Sequence, residues 1–62
     1  MGEKLIVTAK YGNLEYSSEA KPYNSNAHDE QYDSCVSNIH EQMKKAGKYE
    51  MRDSFTLSDH VE

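Results

Sequence analysis

The chain has 62 residues, 35% of them hydrophobic, and its 11 acidic residues exceed its 7 basic ones to give a formal net charge of −4 at pH 7. One domain of this length removes only about 60% of its unfolded surface from water, so we expect a thin core and modest stability. The acidic balance argues against a protein that binds nucleic-acid phosphates. The aliphatic run at residues 5–7 is too short for a signal peptide or a membrane span. The single Cys35 favours a reducing, cytoplasmic location.

A β-hairpin is predicted over residues 4–20. Leu5, Val7 and Ala9 alternate with more polar residues, which is the period of a strand with one face on a core. Gly12-Asn13 is a two-residue signal for a hairpin turn with primed geometry. The predicted register pairs Tyr11 with Leu14, Ala9 with Tyr16, Val7 with Ser18 and Leu5 with Ala20 on one face, and Lys10 with Glu15, Thr8 with Ser17 and Ile6 with Glu19 on the other.

An amphipathic helix is predicted over residues 27–46. Pro22 cannot donate a backbone hydrogen bond to a sheet, so the second strand should end near Ala20. Asn26 is the predicted N-cap, and Gly47 is the residue expected to end the helix. The apolar stripe, with three- and four-residue steps, comprises Tyr32, Cys35, Val36, Ile39, Met43 and Ala46.

A third strand is predicted over residues 49–57, followed by a C-terminal tail at 58–62. Asp53 interrupts the apolar face and is interpreted as a bulge or an edge position, while Asp59 indicates that the strand ends near Leu57. The apolar residues that support the strand fall on odd positions and are Tyr49, Met51, Phe55, Leu57 and Val61.

The order strand, strand, helix, strand predicts one small α+β domain with ββαβ topology. The helix must bury its apolar stripe against a sheet, so a two-layer structure follows. A right-handed crossover from the second strand brings the third strand beside the first. We therefore predict a three-stranded sheet of order 2-1-3, covered on one face by the helix.

The negative charge of the chain is concentrated in residues 24–43, which hold four acids and no Lys or Arg. On the predicted helix these acids form a rigid outward strip, and such a strip attracts a basic partner. The alternative is an ordinary solvated face whose N-terminal acids complement the helix dipole. Tyr23, in the loop before the helix, is a candidate interface anchor. The candidate partner-binding residues are Tyr23, Asp29, Glu30, Asp33 and Glu41.

We predict no catalytic site, metal site or cofactor. Steps of seven and five residues separate His28, Cys35 and His40, and this spacing does not bring three ligands to one metal ion. Asp29 and Asp33 lie on a convex face, whereas acid–base catalysis requires a concave and partly dry site. The five tyrosines would need a positive groove to stack nucleic-acid bases, and the predicted hairpin is neutral.

In size, charge and layout the chain is similar to the small acidic proteins with which phages inhibit host nucleases, restriction enzymes and CRISPR effectors. The likeness implies a non-enzymatic inhibitor in the host cytoplasm, which presents an acidic helix to a basic groove as a DNA mimic would. Direct binding to nucleic acid or to a membrane is not expected. The alternative hypothesis is an accessory module that homodimerises, or pairs with another protein, through a third-strand edge bearing Phe55, Leu57 and Val61.

Overall fold

The computed structural model describes residues 2–62. Its regular elements are the strands β1 (Leu5–Tyr11), β2 (Leu14–Ala20) and β3 (Thr56–Val61) and the helix α1 (His28–Ala46). Two short 3-10 helices, Ser25–Ala27 and Tyr49–Ser54, lie before and after α1.

The three strands form one antiparallel sheet in the order β2-β1-β3. α1 packs against β2 and β1 on one face of this sheet. The predicted α+β class, the strand order and the single covering helix are all confirmed.

The hairpin has the predicted register at all seven pairs, from Tyr11 opposite Leu14 to Leu5 opposite Ala20. Gly12 has a φ of 59°, and Asn13 is outside the left-handed region. A positive φ at only the first central residue is the pattern of a type II′ turn, which has Gly at that position and matches the twist of the paired strands. The turn residue therefore fixes the register on which both sheet faces depend.

The N-terminus of the helix differs from the prediction. Asn24 rather than Asn26 supplies the side-chain cap, because the Asn24 Oδ1 accepts the Asn26 backbone N–H at 2.9 Å. This cap opens the first 3-10 helix, and α1 then begins at His28 without a side-chain cap of its own. The predicted Asn26 cap is wrong because the turn starts two residues earlier.

The C-terminus of the helix is as predicted. Gly47 adopts a left-handed conformation with φ 72°. Its N–H bonds the Lys44 carbonyl at 3.1 Å, and the Lys48 N–H bonds the Met43 carbonyl at 2.7 Å. These two bonds form a Schellman motif, which satisfies carbonyls that the last turn would otherwise leave without donors.

The core lies between α1 and the inner faces of β1 and β2. Its buried residues are Leu5, Val7, Ala9, Cys35, Ile39, Met43 and Phe55. Ala46, predicted to lie on the buried stripe, is exposed. Ala46 is the last residue of α1 and lies beyond Met43, the last of the buried helix residues.

Residues 49–57 do not form the single strand that was predicted. Tyr49–Ser54 is a 3-10 helix, and β3 begins only at Thr56. Asp53 is an exposed residue of that 3-10 helix rather than a bulge. Asp59 lies inside β3, so most of the predicted tail belongs to the sheet.

Contacts of Tyr49 with α1 and with Arg52 account for this difference. The Tyr49 ring meets the His40 ring edge-on at 5.5 Å between centroids, and the Arg52 guanidinium lies 4.2 Å from the Tyr49 centroid. Arg52 Nη1 also donates to the Tyr49 carbonyl at 3.1 Å. These contacts stabilise the 3-10 helix. The apolar pattern of this segment is too short for the sequence to distinguish a helical turn from a strand.

We expect Gly12→Val to reduce the free energy of unfolding by about 1 to 3 kcal/mol, because a β-branched residue is strained at positive φ. No atom lies within 4 Å of the position a Cβ would take, so the loss measures backbone strain rather than a clash. Urea unfolding followed by circular dichroism provides the measurement. Asn13→Val is the matched control and should cost about 0.5 kcal/mol or less; equal losses for the two variants would contradict the type II′ turn.

Ile39 is fully buried at the centre of the helix stripe. We expect Ile39→Ala to cost about 2 to 5 kcal/mol and Ile39→Val about 0.5 to 1.5 kcal/mol, since the cost grows with the cavity left behind. Chemical denaturation of both variants measures this series. An Ile39→Ala loss below about 0.5 kcal/mol, the scale of surface substitutions, would contradict the packing of α1 on the sheet.

Candidate protein-binding surfaces

The first candidate surface is the acidic helix face, defined as Asp29, Glu30, Asp33 and Glu41. All four side chains are exposed. At about 100° per residue, Asp33 lies between Asp29 and Glu30 around the helix axis, within a sector of about 100°. Glu41 points in nearly the same direction as Glu30 but lies about 17 Å further along the axis. Three of the four predicted acids are therefore brought together, and Glu41 stands apart from them.

The acids also differ in their partners. Glu41 Oε1 lies 3.6 Å from Lys44 Nζ, one turn along the helix. Within residues 2–62, Asp29, Glu30 and Asp33 form no ion pair. Three exposed carboxylates without an ion pair among these residues are therefore grouped in the first two turns of α1, where they also complement the positive end of the helix dipole.

Tyr23 is placed differently from the acids. It is half-buried and packs against the core cluster. Its backbone N–H bonds the Glu3 carbonyl at 2.9 Å, and its hydroxyl lies 3.0 Å from His28 Nδ1. These contacts tie the loop before α1 to the N-terminal segment and to the first turn of the helix. They give Tyr23 a role in the fold, whether or not it also contacts a partner.

His28 links the acidic helix face to the sheet. When the Tyr23 hydroxyl donates to Nδ1, the neutral ring carries its hydrogen on Nε2. That nitrogen lies 3.8 Å from Asp59 Oδ2 on β3. The imidazole also stacks on Tyr32, with 6.3 Å between ring centroids. Sequence reasoning placed Asp59 at the end of a strand and so missed its position beside the N-terminus of α1.

The second candidate surface is the β3 edge, defined as Leu57, Asp59 and Val61. They share the helix-side face of the sheet, opposite Ala9, Val7 and Leu5 respectively. α1 lies over β2 and β1 instead, and every residue of β3 is exposed, with Leu57 at 42% and Val61 at 41%. Phe55, which the third-strand hypothesis included, is buried against Tyr11 and Tyr16 and does not belong to this edge.

The opposite edge of the sheet is better protected. Gln42 Nε2 donates to the Ser17 carbonyl on β2 at 2.9 Å, and the same nitrogen bonds Asn38 Oδ1 at 2.9 Å. On the outer face, Lys4 Nζ lies 2.7 Å from Glu19 Oε2, and this hydrogen bond holds the pKa of Glu19 below its usual value. Lys10 lies opposite Glu15 as predicted, and the ion pair on this face of the hairpin is the one between Lys4 and Glu19.

Two kinds of site are not found in the described part of the chain. No group of His, Cys, Asp and Glu side chains in residues 2–62 is arranged to hold a metal ion. None of the helices formed by these residues has the length and apolar character needed to cross a membrane.

Comparison with protein-family models, curated proteins and solved structures gives no match to this chain.

We expect Tyr23→Phe to lower the free energy of unfolding by about 0.5 to 1.5 kcal/mol, because it removes the hydroxyl partner of His28. Tyr32→Phe is the matched control, since no described residue bonds the Tyr32 hydroxyl, and it should change stability by about 0.5 kcal/mol or less. Thermal and urea unfolding of both variants provide the measurement. If Tyr23→Phe left the free energy of unfolding unchanged, the hydroxyl would contribute nothing to the stability of the fold.

Proposed function

We propose that the chain is a non-enzymatic inhibitor of the phage type, which acts in the host cytoplasm. Its acidic helix face would occupy a basic groove on a host protein or nucleoprotein complex that normally binds nucleic acid, such as a CRISPR effector, a restriction enzyme or another nuclease. In this proposal the chain binds protein as a mimic of DNA charge and does not itself bind nucleic acid.

The observation that carries the proposal is the exposure of Asp29, Glu30 and Asp33 without ion partners among residues 2–62. Charges already paired within a protein must exchange partners to bind another one, whereas unpaired carboxylates need only lose water. The three acids project from a 19-residue helix whose buried face includes Cys35, Ile39 and Met43, so their backbone is ordered before binding. Pre-organisation of this kind lowers the entropy lost on association.

A basic groove is the partner surface that fits this charge. Complementary potentials across an interface accelerate encounter and exclude partners of the wrong sign. A groove lined with Lys and Arg to hold phosphates would also accept regularly spaced carboxylates, and a bound helix would block the nucleic acid sterically. Glu41 would contribute less than the other acids because Lys44 already compensates it.

The test compares the wild-type chain with a variant that carries Asp29→Lys, Glu30→Lys and Asp33→Lys. Each protein is immobilised, bacterial host lysate is passed over it at about 0.1 M and about 1 M salt, and bound proteins are quantified by mass spectrometry. A matched control carries Glu3→Lys, Glu50→Lys and Asp53→Lys, which gives the same change in net charge at three exposed acids elsewhere. The same three proteins are expressed in strains with a CRISPR or restriction system, and phage plaquing is counted.

We expect the wild type and the control to retain one nucleic-acid-binding partner at low salt and to raise plaquing, and the helix variant to do neither. Binding should weaken at high salt, because the Debye length falls from about 10 Å to about 3 Å. The helix variant should remain folded, with a loss of about 0.3 to 1 kcal/mol per acid from the dipole interaction. A partner that binds the helix variant equally well and ignores salt would refute the proposal.

A further inference from the structure

The β3 edge presents unpaired backbone groups in a regular pattern. The backbones of Lys4 and Glu62 exchange two hydrogen bonds of 2.9 Å each. Hydrogen-bonded and non-hydrogen-bonded pairs alternate along an antiparallel ladder, so even-numbered residues of β3 bond β1. The odd-numbered residues Leu57, Asp59 and Val61 therefore direct their N–H and C=O groups away from the sheet. No side chain in residues 2–62 bonds to these groups.

An edge of this kind is a template for another strand unless the protein covers it. The β2 edge has such a cover at Ser17, where Gln42 occupies the outward carbonyl. The β3 edge has no equivalent, and its side chains on the helix-side face include two half-exposed aliphatic residues. Both the backbone and the side chains of β3 thus remain available for pairing.

We propose that the occupant of this edge is a second copy of the chain, paired antiparallel with Asp59 on the two-fold axis. Only outward-facing residues can form hydrogen-bonded pairs across the new junction, so odd-numbered residues must lie opposite odd-numbered residues. Among these registers, the one that places Asp59 opposite itself aligns the whole segment 56–62 with its copy. The product is a continuous six-stranded antiparallel sheet with an isologous interface.

The side chains on the helix-side face are complementary in this register. Leu57 lies opposite Val61 of the second copy, and Val61 lies opposite Leu57 of the second copy. Directly opposed side chains are about 4.5 to 5.5 Å apart at Cβ, close enough for aliphatic contact. All four exposed aliphatic side chains therefore lose water together. Shifting the register by two residues would place Leu57 opposite Asp59 instead and lose this match.

The charges on the outer face are also complementary. Glu62 lies opposite Lys4 within its own sheet and would lie opposite Thr56 of the second copy. In each copy, Thr56 lies opposite Lys10 of β1. The row across the junction therefore reads Lys4 and Glu62 of one copy, then Thr56 and Lys10 of the other, so Glu62 has a lysine on either side. The unfavourable contact is Asp59 against its own copy, although each Asp59 Oδ2 also has the Nε2 atom of its own His28 at 3.8 Å.

Light scattering coupled to size-exclusion chromatography tests the dimer, over loading concentrations from about 1 μM to about 1 mM. We expect the mass to rise from that of one chain to that of two. Leu57→Asp should weaken association at least about tenfold, because the two-fold axis makes each substitution act twice. Ser58→Asp, on the opposite face of the same strand, is the matched control and should remain within about twofold of the wild type.

Cysteine cross-linking tests the register. Asp59→Cys should form a disulfide-linked dimer under a mild oxidant, since hydrogen-bonded antiparallel pairs have Cα atoms about 5.5 Å apart. Ser58→Cys should not, because residue 58 would lie about 8 Å from its copy. The wild type controls for Cys35, which is buried. Asp59→Asn should strengthen the dimer by up to about fivefold by removing the like-charge contact.

Three results would overturn the proposal: a wild type that stays monomeric at the highest concentration, a dimer insensitive to Leu57→Asp, or cross-linking through Ser58→Cys rather than Asp59→Cys. The variant with Asp29, Glu30 and Asp33 changed to Lys should still dimerise, because none of these residues lies on β3. Failure of the dimer is thereby distinguished from failure of the acidic helix face to bind a host protein.

Discussion

β1 is hydrogen-bonded on both sides, and the rest of the domain is arranged around it. Its odd-numbered residues bond β2 across the hairpin, and its even-numbered residues bond β3. The same strand buries Leu5, Val7 and Ala9 completely on its inner face. In a core of so few residues, no other strand can replace this contribution. A disruption of β1 would therefore release both neighbouring strands and remove the surface on which α1 packs.

The small core also explains the asymmetry of the surface. An α-helix with its side chains is about 10 to 12 Å wide, and neighbouring strands are about 4.8 Å apart, so one helix covers roughly two strands. α1 covers β2 and β1, and Gln42 reaches over the outer edge of β2. β3 consequently keeps its aliphatic side chains and one set of backbone groups exposed. A chain of this size with one helix cannot protect all three strands at once.

Charge follows the same division of the molecule. The polar face of the hairpin compensates charge internally, through Lys4 and Glu19, and the last turns of α1 do so through Glu41 and Lys44. The first turns of α1 have no such compensation. Asp59 of β3 lies 3.8 Å from His28, so this strand adds a further acid beside the start of α1. The two proposed surfaces therefore meet near the N-terminus of α1, although each is defined by different residues and can be tested separately.

The sequence by itself determined the hairpin, because a Gly at positive φ and a period of two act over adjacent residues. It also determined the apolar stripe of α1 and the end of the helix at Gly47, because three- and four-residue steps and a left-handed Gly act within a few turns. It also located the acids of the helix face. Tertiary structure decided where β3 begins. Tyr49 contacts His40 and Lys44 on α1, and these contacts favour a 3-10 helix over residues whose apolar pattern alone predicts a strand. The pairing of Asp59 with His28 and the exposure of Leu57 and Val61 depend on which strands α1 covers, and α1 is distant from β3 in the chain. Such features arise from packing between segments far apart in the chain, which a pattern of neighbouring residues does not encode.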